Sequence, residues 1–151
     1  MLDIKRLIDA GAKNILIMGL PDLSYFPGFT ADFSPHKGII FAQLLKSINN
    51  GFMSSILTWP TDVDDLNLKF FDTMTLFNTI FSDPQRYSLT NITSPCLENW
   101  QNFGRRGATG EGIPKICQEP DKFFFWDGWH PTTYLHSIIA REVMNFLNWS
   151  K

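Results

Sequence analysis

An aspartate and a histidine stand three residues apart in Trp126-Asp127-Gly128-Trp129-His130-Pro131, just ahead of a segment with helical periodicity. At that spacing the carboxylate can accept the Nδ1 hydrogen of the imidazole, fix its tautomer and leave Nε2 free to take a proton from a nucleophile. The pair is two thirds of a Ser-His-Asp triad. A plainer reading has Asp127 capping a turn and His130 capping the next helix, with Pro131 in its first turn. Either way the imidazole points out of the loop.

Other chemistry is thinner. His136 lies six residues after His130, so the two do not share a helix face as metal ligands at i, i+4 would, and three histidines in all give no zinc pattern. Gly104 to Gly112 with Arg105 and Arg106 lacks the G-K-[ST] ending of a phosphate loop and reads as a flexible turn. No cofactor or metal is expected. Phe123 to Phe125, Trp126 and Trp129 are either walls of an acyl pocket or plain core. Asn91-Ile92-Thr93 and Asn148-Trp149-Ser150 match glycosylation sequons, which carry no meaning without export. Cys96 and Cys117 leave two readings open: a disulfide closing a loop of ~20 residues in an oxidising compartment, or two thiols in a reducing one.

The elements that would position the Asp-His pair follow from patterning. The chain has 151 residues, 44% hydrophobic and 19% charged, with a net charge of -2, which suits one globular domain or a piece of one. That charge gives no general attraction to nucleic-acid phosphates. No apolar run reaches the ~20 residues of a membrane span, and the start does not read as an export signal.

Met1 to Ala10 reads as an amphipathic helix with Asp3 as N-cap and Gly11 as its stop. Ile15 to Leu20 is a continuous apolar run, expected as a central parallel strand covered on both faces, and Pro21 to Phe33 as the loop leaving it. Ser34-Pro35 opens a long helix through Ile56, broken at Trp59-Pro60-Thr61-Asp62. Leu66 to Phe70 alternates as an edge strand, and Asp72 opens a short helix ending by Asp83-Pro84. Gln85 to Asp121 shows no sustained periodicity and reads as a long surface excursion. The last helix runs from Pro131 to about Asn148, with Leu135, Ile138, Ile139, Val143, Phe146 and Leu147 as its apolar stripe.

The block Trp126 to Thr132 resembles the last sequence block of the GDSL or SGNH lipolytic hydrolases, in the branch of phospholipases, lysophospholipase A and glycerophospholipid acyltransferases. Gly11 to Ile15, then Leu20-Pro21-Asp22-Leu23 with Pro27, resemble the branch's segment entering its fourth strand. Asn49, Phe71-Asp72 with Leu76-Phe77, Asn91 to Cys96, and Cys117 with Pro120-Asp121-Lys122 follow in the same order. The resemblance implies an α/β fold: a partial flavodoxin-like SGNH-hydrolase three-layer arrangement, to which this chain supplies the last two parallel strands and their helices. It implies that Asp127 is the triad acid and His130 the general base, that Cys96 and Cys117 close a loop near the substrate, and that the substrate is a lipid ester or lysophospholipid. The family is secreted or periplasmic.

The family's G-D-S nucleophile block and its Gly and G-x-N-D oxyanion blocks have no counterpart in this sequence. Residues 1–151 are therefore expected to form the carboxyl-terminal part of a single hydrolase domain, inactive alone. Ser24 is the nearest local substitute, but it lacks the sharp strand-to-helix turn that exposes such nucleophiles. The alternative is a non-catalytic module whose open sheet edge pairs with an amino-terminal partner chain.

Overall fold

A computed structural model describes residues 2–58, 64–103 and 109–147. In chain order the elements are α1 (Leu2–Asp9), β1 (Asn14–Met18), α2 (Pro27–Asp32), α3 (Pro35–Leu57), β2 (Asn67–Phe71), α4 (Thr73–Ser82), β3 (Asn91–Pro95), β4 (Phe123–Phe125) and α5 (Thr133–Leu147). The fold is α/β, with two small parallel sheets, β1 with β2 and β3 with β4, flanked by helices.

Gly11 ends α1 with φ +96, a conformation that costs a glycine little. Asp3 is not its N-cap: it sits inside the first turn, 3.3 Å from Arg6. β1 pairs in register with β2, Asn14 opposite Asn67 and Met18 opposite Phe71. Bonds from Asn67 N–H to Lys13 C=O and from Gly19 N–H to Phe71 C=O frame this ladder. Peptide groups alternate in direction along a parallel strand, so those of Leu16, Met18 and Leu20 face the opposite edge. At Leu20 that edge is already filled. Asn49, buried on α3, accepts from its N–H and donates to its C=O, both at 2.8 Å.

The expected burial of Ile15 to Leu20 on both faces is not found: the run is half-buried, and Met18 and Leu20 are exposed. One side of β1 has no strand beside it among the described residues. The apolar stripe of α3 is likewise only partly covered, with Leu45 buried and Ile40, Leu44, Ile48 and Phe52 exposed.

Pro21 to Phe33 is more ordered than a loop. Asp22 accepts from Ser24 N–H to cap a single 3-10 turn, Leu23–Tyr25, and Pro27 then opens α2, because Phe26 and Phe29 bury themselves in the core. α4 is capped by Asp72, which accepts from Thr75 N–H and Oγ1. The segment Gln85 to Asp121 is not a surface excursion throughout. It contributes β3 and the buried Leu89, Cys96, Leu97 and Trp100. A five-residue strand reading Asn-Ile-Thr-Ser-Pro carries no apolar alternation, which is why periodicity missed it. The helix break at Trp59 to Asp62, the Arg105-Arg106 turn with Gly104 and Gly107, and the Asn148 sequon lie outside the described residues.

The core gathers Phe26, Phe29, Phe77, Ile80, Leu89, Phe124, Phe125, Leu135 and Ile138. Phe124 and Phe125 are fully buried, each packed against Phe81 and each other. α5 starts two residues later than expected, and its cap is Thr132 instead of His130. The Thr132 hydroxyl accepts from Leu135 N–H and donates to Phe123 C=O at 2.8 Å, tying the helix start to β4. Thr132→Val keeps the shape and removes both bonds. It should cost about 1–2 kcal/mol, seen as a lower urea midpoint at unchanged slope.

Candidate functional site

The Asp127–His130 pair stands on a closed loop at the end of β4. Trp126 N–H donates to His130 C=O at 2.8 Å, Thr132 N–H to Phe124 C=O at 3.0 Å, and Phe125 and Pro131 form an antiparallel bridge. Chain direction therefore reverses within five residues, and the intervening turn needs an internal acceptor. Asp127 is that acceptor. Its Oδ1 takes the N–H of Trp129 at 2.7 Å and of His130 at 2.8 Å.

Both carboxylate oxygens also lie 2.9 Å from His130 Nδ1. A carboxylate only accepts, so the hydrogen is assigned to Nδ1 and the lone pair to Nε2. The Asp127 side chain is 9% exposed and that of His130 67% exposed, so a fixed acid holds an imidazole whose far edge is open. The turn-capping and triad readings of Asp127 are compatible here: Oδ1 accepts from the turn while both oxygens reach the imidazole. Chemically, the arrangement can hold one tautomer and receive a proton at Nε2.

Two glycines let neighbouring segments close on this loop. Gly28, at the start of α2, donates its N–H to Gly128 C=O at 2.8 Å, and the Trp129 indole lies where a Gly28 side chain would be. A Cβ on Gly128 would meet the Trp100 ring at 2.5 Å. Trp100 comes from the segment bounded by the Cys96–Cys117 disulfide, which is stitched to β4 through Cys96 N–H to Phe125 C=O and Leu97 N–H to Trp126 C=O. Neither Gly28 nor Trp100 stood out in the sequence. A tryptophan inside an otherwise polar, cysteine-bounded segment was the available signal.

The structure sorts the remaining candidates. Ser24 lies in the turn before α2, and no hydrogen bond joins it to His130 among the described residues. His136 Nδ1 pairs with Thr132 C=O at 2.9 Å, one helical turn back. Of the aromatic run, Phe124 and Phe125 are core, whereas Trp129 helps to line an apolar groove of about 400 Å³ between α2 and α3. Among the described residues no helix is long and apolar enough to cross a membrane.

The family model of GDSL-like lipases and acylhydrolases matches residues 3–143. The chain is 31% identical over 145 residues to a thermolabile hemolysin of Vibrio parahaemolyticus, covering 95% of this chain and 34% of that protein. It is similar to GDSL esterase/lipases of Arabidopsis thaliana, one 30% identical over 150 residues and another 24% over 144, with 95% and 93% of this chain and 38% of each relative covered. The chain thus spans between a third and two fifths of the length of these relatives. With its α/β fold and its Asp-His pair on the loop after β4, the chain belongs to the GDSL-like lipase/acylhydrolase family.

Proposed function

We propose that this chain is the carboxyl-terminal part of a single lipolytic hydrolase domain, of phospholipase A or lysophospholipase A type, and that it supplies the base and acid of a triad completed by a serine outside it. The observation that carries the reading is the His130 ring, held through Nδ1 by Asp127 and open at Nε2. In the reaction, a serine oxygen attacks the carbonyl of a lipid ester as its proton passes to His130 Nε2. The tetrahedral intermediate then collapses, and His130 returns the proton to the leaving alkoxide. Asp127 keeps the imidazole oriented throughout. Relatives bearing the names hemolysin and esterase/lipase support a lipid-ester substrate.

A second reading is favoured by the side of β1 that has no strand beside it among the described residues. Its outward peptide groups suit a strand from an amino-terminal partner chain, and the exposed Ile48 and Phe52 on α3 suit a helix. The two readings share one experiment. Alone, the purified chain should take no label from a fluorophosphonate probe. Mixed with a separately produced amino-terminal segment of a relative bearing the G-D-S block, it should bring about labelling of that segment's serine. Labelling of Ser24 or another serine of this chain would refute the first reading, and a mixture no more reactive than its parts would refute the second.

A further inference from the structure

Another cleft takes none of its described lining from the Asp127–His130 loop or from the groove of Trp129. Three segments distant in sequence converge on it: Asp22 and Tyr25 from the turn before α2, Asn78 and Phe81 from α4, and Thr93 from β3. Its volume of about 550 Å³ is within the range of small-molecule sites. Tyr25 packs against Phe81 with ring centroids 4.9 Å apart and is still 50% exposed, so the ring is held in place while half of its surface meets water. Asp22 is 8% exposed. Its Oδ1 accepts from Ser24 N–H at 2.9 Å, and its Oδ2 has no hydrogen bond among the described residues. The Asn78 amide and the Thr93 hydroxyl likewise have no partner among the described residues.

This lining limits what can bind. Asp22 is the one charged group among the described lining residues, and a carboxylate with no cation beside it repels phosphate, sulfate and carboxylate ligands. A quaternary ammonium would be drawn to the carboxylate, but it is best held by several ring faces. Phe81 is packed between Tyr25 and Phe124, which leaves the single ring of Tyr25. What remains is a neutral ligand with one apolar face and several hydroxyls. A sugar ring has that chemistry: its C–H face can lie on an aromatic ring, and its hydroxyls donate and accept around the edge. We propose that this cleft binds the ring of a neutral sugar, with Tyr25 beneath the C–H face, Asp22 Oδ2 accepting from one hydroxyl, and Asn78 and Thr93 pairing with others. Asp22 carries the largest share of the affinity, because a hydrogen bond to an ionised acceptor is about twice as strong as a neutral one. The site stands apart from the lipid-ester reading and needs no group from outside the chain.

The test is a titration of the full chain with methyl glucoside, methyl galactoside and methyl mannoside, read by NMR at the Tyr25 ring and the Asn78 side-chain amide. At least one sugar should shift both signals together and saturate, while inorganic phosphate should move neither. Asp22→Asn keeps an oxygen for Ser24 N–H and removes the charge, and it should weaken that sugar about tenfold. Tyr25→Ala should weaken it about fivefold. Asn78→Ala should do the same, at an exposed helix position where alanine favours the helix and keeps the fold. Each variant is read at the signal it retains. Signals that none of the sugars moves would overturn the assignment, as would unchanged affinity in Asp22→Asn and Asn78→Ala, or tetramethylammonium bound more tightly than any sugar.

Discussion

Asp127→Asn is expected to leave the loop folded and to reverse the tautomer of His130. The substituted oxygen can still accept from the N–H groups of Trp129 and His130, now at 2.7 and 2.8 Å from Asp127 Oδ1, so the turn keeps its internal acceptor. The amide nitrogen takes the place of Oδ2, 2.9 Å from His130 Nδ1, and donates to it, which favours the tautomer with its hydrogen on Nε2 over the one whose Nδ1–H still reaches Oδ1 at 2.9 Å. In the favoured tautomer the Nε2 hydrogen blocks the lone pair that would receive a proton. Ring-nitrogen NMR shifts of His130 read this change on the chain alone. In an assembly with a serine-bearing partner segment, ester hydrolysis should fall by about 10⁴, the scale measured for the equivalent change in a serine protease. Persistence of the Nδ1–H tautomer in the variant would sink the assignment of Asp127 as orienter. Loss of folding would instead show that the amide cannot replace the carboxylate as turn acceptor.

The second large effect concerns the disulfide. Cys96 is fully buried and lies 21 residues from Cys117. Replacing both by alanine should cost about 3 kcal/mol, since the unfolded chain regains the freedom of a loop that size. That is a large share of the 5–15 kcal/mol typical of a domain. Beyond the global loss, the double variant frees the segment that presses Trp100 under Gly128. The amides of Trp129 and His130, both bonded to Asp127, should therefore exchange with solvent faster than in the parent. Hydrogen exchange separates the local effect from the global one: unfolding energy lowered with these amides equally protected relative to it would show that Trp100 does not steady the loop.

Those residues also show what could be read before the structure. The Asp127–His130 pair was legible because both members fall within one turn, where spacing alone limits geometry. The helices with caps were legible for the same local reason: Asp72 ahead of α4 and Gly11 after α1 act on their own backbone neighbours. What sequence could not supply was contact between distant segments. β3 is too polar to announce itself and is a strand because β4 lies beside it. The cap of α5 went to Thr132 because Phe123 offers a carbonyl nine residues away, a bond no local rule foresees. The burial expected for β1 followed from its apolar run, which says what the strand prefers and not which neighbours are present.

Asn49 gives that exposed edge a definite end. Its side-chain amide copies a peptide group, closing both polar atoms of Leu20, while no strand pairs with the outward groups of Leu16 and Met18 among the described residues. An incoming strand would have to halt there, and a halt fixes alignment. Because side chains alternate faces residue by residue, sliding one position would turn the newcomer's apolar set toward water. Asn49 would then act as a ruler's zero mark, rejecting misaligned partners before any packing on α3 is tried.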